Sequence, residues 1–194
     1  MAAMLVVIAV LLAIVVLIAL WIMATYNRLV SQRNQVRNAW AQIDVQLRRR
    51  HDLIPNLVNA VKGYMEHERN VLQSVTDART RAIAAGDNVA RRSEAEGELT
   101  RSLRSLFAVA EAYPALRASE NIQSLQEELA STENRVAFAR QHYNDAVMTY
   151  NTARSQLPGA LLAGPMGFQE ADSWEIDDAA ARAVPQVDLS GATG

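Results

Sequence analysis

Hydrophobic positions divide the chain into one unbroken apolar run and a series of stripes. Residues 4–23, "MLVVIAVLLAIVVLIALWIM", are uniformly apolar, and the first charged side chain is Arg28. A helix of that length rises ~30 Å, the thickness of a bilayer's hydrocarbon core. Trp21 and Tyr26 fall where an interfacial aromatic belt is expected. Beyond it, apolar residues recur at alternating steps of three and four: Tyr26, Leu29, Arg33, Val36, Trp40, Ile43, Leu47. That spacing predicts a helix with a buried seam and one polar interruption, Arg33.

A second stripe runs Ile54, Leu57, Val61, Tyr64, Glu68, Val71, Val75, Ala78, Ala82, interrupted only by Glu68, and "AAGDN" at 84–88 reads as a helix stop and turn. A third helix is predicted over about 90–113, closed by Pro114. The fourth carries Ile122, Leu125, Leu129, Thr132, Val136, Ala139, Tyr143, Ala146, Tyr150, Ala153 and Leu157, from an N-cap at Ser119 to a stop at Pro158. No stretch alternates with a period of two over a strand's length. The fold class expected is all-α: an N-terminal transmembrane helix followed by an antiparallel, up-down four-helix bundle of long helices.

The join between the first two stripes, "RRRHDLIPNLV" at 48–58, admits two geometries. As a corner, Arg48, Arg49 and Arg50 complement the carbonyl end of one helix, Asp52 caps the next, and Pro55 sits in a first turn, where no intrahelical bond is lost. Folding back between Arg50 and His51 then sets Leu47 against Ile54, Trp40 against Val61, and Arg33 against Glu68. This predicts an ion pair inside an apolar seam, a device that fixes register more than it stabilises. Alternatively one helix continues through a kink at Pro55, since Leu47 and Ile54 are seven residues apart and stay in phase. The hairpin is favoured on length, because a continuous helix would project ~90 Å beyond the membrane against partners of ~40 and ~60 Å.

Composition narrows the function. Half the residues are hydrophobic and 6% aromatic; cysteine is absent, which excludes disulfides, thiolate metal sites and a cysteine nucleophile. Residues 28–157 carry 18 Lys and Arg against 15 Asp and Glu, whereas residues 158–194 carry one Arg against six acids. Neither balance suits a nucleic-acid binder. Arg28, Arg33 and Arg37 follow the apolar run closely and nothing charged but the terminal amine precedes it, so the positive-inside rule places the N-terminus outside and the body in the cytoplasm.

Three stretches resemble the LemA family: "YNRLVSQRNQVRNAWAQIDVQLRRRHDLIPNLVNAVKGYMEHE" (26–68), "EAYPALRASENIQSLQEELASTENRVAFARQHYNDAVMTYN" (111–151) and "LPGALLAGPMGF" (157–168). The resemblance implies a membrane helix, an antiparallel four-helix bundle, an N-out topology and a bacterial cytoplasmic-membrane location. It supplies no catalytic residues. Relatives are linked to envelope stress, membrane proteolysis and, in one branch, bacterial organelle membranes.

Candidate chemistry is sparse. "HERNV" at 67–71 has Val71 where a metalloprotease helix needs its second histidine, and no Glu-x-x-His pair occurs. No metal, cofactor or small-molecule substrate is expected. Asp44 and Arg48 read as a minor i,i+4 surface pair. The arginine triplet, ~40 Å along a helix from the bilayer, is too distant to grip lipid. Tyr143, Tyr150 and Trp40 read as packing residues. Domain boundaries are set at 1–25 (anchor), 26–157 (bundle), 158–168 (a non-helical apolar Gly/Pro segment packing on the bundle, Phe168 filling a groove) and 169–194 (an acidic, disordered tail). Within the tail, Trp174, Asp177 and Asp178 of "DSWEIDD" form a candidate partner-docking motif set against a plain solvated tail. The function expected is a non-catalytic, membrane-tethered scaffold that self-associates or binds other membrane proteins. The alternatives are an accessory subunit of a membrane protease or stress-response complex and, in another class, a metal-dependent bundle enzyme.

Overall fold

A computed structural model describes residues 1–174. The helices are α1 (Ala2–Lys62), α2 (Arg69–Ala84), α3 (Val89–Ala110), α4 (Pro114–Arg117), α5 (Glu120–Ser155) and α6 (Gly159–Ala163), with no strand among the described residues. The all-helical expectation holds. The corner does not: α1 runs unbroken from the apolar span through Pro55 to Lys62.

The length argument misplaced the helix's end. α1 stops at Lys62–Gly63, a basic last turn followed by glycine, which the stripe through Tyr64 and Glu68 masked. From Ala24 to Lys62 it therefore rises ~58 Å, close to the ~54 Å of α5's 36 residues. The two run antiparallel, since Trp40 packs against Tyr143 while Arg49, further along α1, meets Glu128, earlier on α5.

Continuity through Pro55 has a visible cause. Proline has no N–H for the carbonyl four residues back, that of His51, a residue only 4% exposed. Arg79 of α2 fills the vacancy: its Nε donates to the His51 oxygen at 2.7 Å. A side chain from another helix completes the ladder where the sequence breaks it.

The α1–α5 pair is covered differently along its length. At the far end, Ile54, Leu57 and Val61 of α1 pack with Leu72, Val75 and Ala78 of α2, Leu99, Leu103 and Leu106 of α3, Leu116 of α4 and Leu129 of α5. Gly86, at φ +63°, supplies the left-handed residue of the α2–α3 turn, and Asn88 caps α3 by accepting from the Arg91 amide at 2.9 Å. Nearer the apolar span, α2 and α3 are replaced by the chain's own C-terminal segment. Trp174 joins Ala39, Ile43, Leu47, Tyr143 and Val147, and Phe168 joins Leu29, Tyr150 and Ala163.

Two local expectations for this segment change. The 157–168 stretch does contain a helical turn, α6, whose Gly159 lies so close to the Ala153 carbonyl that an added Cβ would stand 1.9 Å from its oxygen. Residues 169–174, assigned from composition to a solvated tail, lie packed along α5, with Trp174 2% exposed. Asp177 and Asp178 lie outside the described residues.

Candidate functional site

The segment is seated by a repeat in α5. "YNDAVMTYN" places Tyr143–Asn144 and Tyr150–Asn151 seven residues apart, two helical turns, on one face. The Asn144 amide grips the Trp174 backbone at both ends: its Oδ1 accepts from the Trp174 N–H at 2.9 Å and its Nδ2 donates to the carbonyl at 3.1 Å. Asn151 treats Ala171 in the same way, at 3.0 and 2.9 Å. The tyrosine hydroxyls alternate with them, Tyr150 donating to the Gln169 carbonyl at 2.7 Å and Tyr143 to the Asp172 carbonyl at 2.8 Å. Arg154 closes the series on the Phe168 carbonyl at 3.0 Å.

The spacing has a metric reason. Seven helical residues advance ~10.5 Å, and three extended residues advance ~10 Å. A Tyr-Asn pair every seven positions on α5 therefore meets the backbone every third residue, and both partner sets obey that rule. The face grips main-chain atoms of an extended segment and is indifferent to most of its side chains. Burial, joined by the charge of Asp172, pushes the Tyr143 phenol up to about 12; burial likewise raises that of Tyr150, against the opposing charges of Arg154 and Arg33.

At the end of the groove an aromatic box receives Trp174. Its ring lies 5.8 Å from that of Trp40, which lies 5.4 Å from Tyr143, and the Arg92 guanidinium caps Trp40 at 5.5 Å. Arg92 also pairs with Asp44, which pairs with Arg48. Burial alone would raise the Asp44 carboxyl, but the hydrogen bond and charge of Arg92, joined by Arg48, outweigh it and hold the group below its ordinary range.

Immediately beyond lies a buried ionic cluster. Arg50, 3% exposed, donates to Thr100 Oγ1 at 2.9 Å and lies 3.5 Å from Glu96 and 4.0 Å from Glu133; the other Glu96 oxygen is 2.7 Å from His51 Nε2. Half-buried Arg140 is depressed by burial and by the charge of Arg50, against the pull of Glu133 and Glu96. A cavity of about 330 Å³ between α3 and α5 opens beside Arg50, lined by Thr100, Leu103, Phe107 and Leu129 among others. The polar groups at its mouth are engaged with one another: Arg50 with Glu96 and Glu133, and Arg104 with Glu133 at 4.0 Å. Among the described residues, no three His, Cys, Asp or Glu side chains converge as a metal site would require.

The sequence-predicted residues thus take new roles. Arg48, Arg49 and Arg50 lie within α1, not at a helix end, and successive ~100° steps send them three ways: to Asp44, to Glu128 on α5 at 2.9 Å, and into the core. Asp52 is an exposed residue of α1 and caps nothing. The Arg33–Glu68 pair does not form, because the continuous helix carries Lys62 ~43 Å beyond Arg33. Arg33 instead lies 5.1 Å over the Phe168 ring, and Glu68 precedes α2 and accepts from the Tyr113 hydroxyl at 3.3 Å. Pro114 opens α4. Trp40 packs as expected, against different partners. Asn144, Asn151, Glu96 and Arg79 went unforeseen. The repeated Tyr-Asn pair was the readable signal for two of them; a lone Glu or Arg carries none.

Comparison with known proteins places these features in a family. The LemA family profile matches residues 39–189. Magnetosome proteins MamQ 1 and MamQ 2 of Paramagnetospirillum magneticum are each 26% identical over 77% of this chain and 64% of their own length. Magnetosome protein MamQ of Magnetospirillum gryphiswaldense is 23% identical, over 76% and 63%. The chain spans just under two thirds of these relatives. With more than half of its residues under the family profile, including the far core, the ionic cluster and both Tyr-Asn pairs, the chain belongs to the LemA family.

Proposed function

We propose that this chain is a single-pass, membrane-tethered, non-catalytic scaffold of the bacterial envelope. Residues 1–25 form its anchor and residues 26–157 a helical bundle on the cytoplasmic side, four helices packed antiparallel where α2 and α3 cover the α1–α5 pair. The observation that carries the reading is the continuity of α1: an apolar span with no residue buried against the body runs without a break into the rod's central helix. A rod fixed to its own anchor holds whatever it presents at a set height. The Tyr-Asn face clamps the C-terminal segment as far as Trp174, beside Trp40 and ~25 Å along α1 from Met23. The acidic residues that follow in sequence, Asp177 and Asp178 among them, supply the docking charges. Tethering in a plane raises the effective concentration of copies and of membrane partners, which favours self-association. The relatives are named magnetosome proteins, which supports a place for this chain among proteins of a bacterial organelle.

Crosslinking in intact membranes followed by mass spectrometry tests the reading. Crosslinks between copies, or reproducible crosslinks to other membrane proteins through residues 175–194, are the expected result; a chain found only as an uncrosslinked monomer refutes it. Labelling the C-terminal residues from outside the cytoplasmic membrane would refute the topology alone.

A further inference from the structure

The end of the body nearest the apolar span is built differently from the rest of its surface. Residues 155–169, "SQLPGALLAGPMGFQ", hold no charge. Within them Leu157, Leu161 and Met166 are 75%, 61% and 41% exposed. Their neighbours Gly159, Ala163 and Phe168 are buried against α1 and α5, so the stretch is fixed on the body with its largest apolar side chains turned outward.

Its height along α1 is legible. Ala163 and Phe168 cluster with Leu29, and the Phe168 ring lies 5.7 Å from that of Tyr26. The first residues of α1 to fall below the exposed range are Ile22 and Thr25, whereas each of residues 1–21 is exposed. The apolar run ends at Met23, so Tyr26 and Leu29 stand ~4.5 and ~9 Å beyond it. The headgroup layer beyond a ~30 Å hydrocarbon core is ~5–8 Å deep on each side.

Resting on the membrane-anchored reading, we propose that residues 157–166, α6 with its flanks, form a foot that seats in the headgroup–acyl boundary of the bilayer that α1 spans. The foot is charge-free, held at headgroup depth by Phe168 against Tyr26, and leaves Leu157, Leu161 and Met166 exposed on its outer side. An apolar face of this kind settles ~5–10 Å into the boundary layer. Lipid is the occupant that the geometry favours, because any segment anchored by α1 brings this surface to the bilayer without a partner. The foot gives the rod a second, off-axis contact, restricting rotation about α1 and tilt of the body.

The natural absence of cysteine permits a direct test. Single-cysteine full-length chains Leu161→Cys, Leu157→Cys, Leu12→Cys and Phe138→Cys carry an environment-sensitive dye in vesicles of phosphatidylcholine with a minority of phosphatidylglycerol. Positions 157, 161 and 138 are exposed, so labelling leaves the core intact. The dye at 161 and at 157 should emit to the blue and lose more than half its emission to a shallow lipid-borne quencher while resisting aqueous iodide. The dye at 12 should respond to a deep quencher, and the dye at 138, opposite the Trp40 region, to iodide alone. Iodide access at 157 and 161 with position 12 protected overturns the foot and leaves the anchor standing. Iodide access at position 12 as well overturns both. Lipid quenching at 138 means a body lying flat, which also overturns the foot.

Discussion

Replacing Arg79 tests how α1 survives its own proline. Within a helix proline costs ~3 kcal/mol or more, by removing one donor and crowding the carbonyl behind it. Here that carbonyl belongs to His51, which is 4% exposed, and the 2.7 Å bond from Arg79 Nε is the contact that satisfies it. A charged hydrogen bond of this kind contributes ~1.5–3 kcal/mol, and losing it leaves a desolvated acceptor, so Arg79→Ala should destabilise the body by about 2–3 kcal/mol. Pro55→Ala restores the backbone donor that Arg79 replaces. In the Pro55→Ala background, Arg79→Ala should therefore cost less than ~1 kcal/mol, a coupling of about 1.5 kcal/mol. At ~2–4 °C per kcal/mol for a body of this size, that separates the midpoints by ~3–6 °C. The assay is urea and thermal unfolding of the full chain in detergent, followed by circular dichroism, for all four members of the cycle. Additivity to within ~0.5 kcal/mol would show that Arg79 does nothing specific to the proline, and the account of α1's continuity would fail.

Glu96→Ala removes the nearest carboxylate from both Arg50 and His51, leaves Arg50 only the 4.0 Å carboxylate contact with Glu133, and should cost ~3 kcal/mol in the same unfolding assay; a loss below ~1 kcal/mol would show that the cluster is effectively hydrated. Trp174→Ala empties the aromatic box and should weaken the C-terminal segment's docking by ~3–5 kcal/mol, read as accelerated hydrogen exchange at the backbone amides of positions 171 and 174 while the far core stays protected; unchanged exchange there refutes the clamp. The Tyr143 phenol, held neutral to about 12 when folded against an ordinary 10.0, contributes stability that is complete below pH 10.0 and lost as the pH rises through about 12. Tyr143→Phe should flatten stability over that window and remove the highest-titrating phenolate from the ultraviolet titration; an unchanged curve would refute the burial argument.

The charged residues show where reading the chain reached its limit. Arg50 looked like a helix-end cation because three arginines preceded a proline, yet it is a core residue whose partners Glu96, Thr100 and Glu133 lie 46 to 83 positions later. Nothing local distinguishes it from its neighbour Arg48, which is solvated. The match between Arg33 and Glu68 followed from a fold-back that length alone recommended. Trp174 was placed in a tail because the composition around it is acidic and small, and composition does not register two asparagines on a distant helix.

The chain's own pattern determined that the described body is all-helical, that residues 4–23 are long and apolar enough to cross a membrane, and that breaks fall near 84–88, 114–119 and 158; its motifs, separately, carry the resemblance to a family. These are local properties, since the 3.6-residue repeat, the helix stops and an unbroken apolar run need no partner. Tertiary structure alone decided the path through Pro55. Seven residues separate Leu47 from Ile54, so the stripe is in phase whether the helix bends or continues. The choice rests on whether something distant can replace a missing N–H, and Arg79 does. The seat of the C-terminal segment was decided in the same way, because a seven-residue helical repeat and a three-residue extended repeat become one ladder only when the two lie side by side.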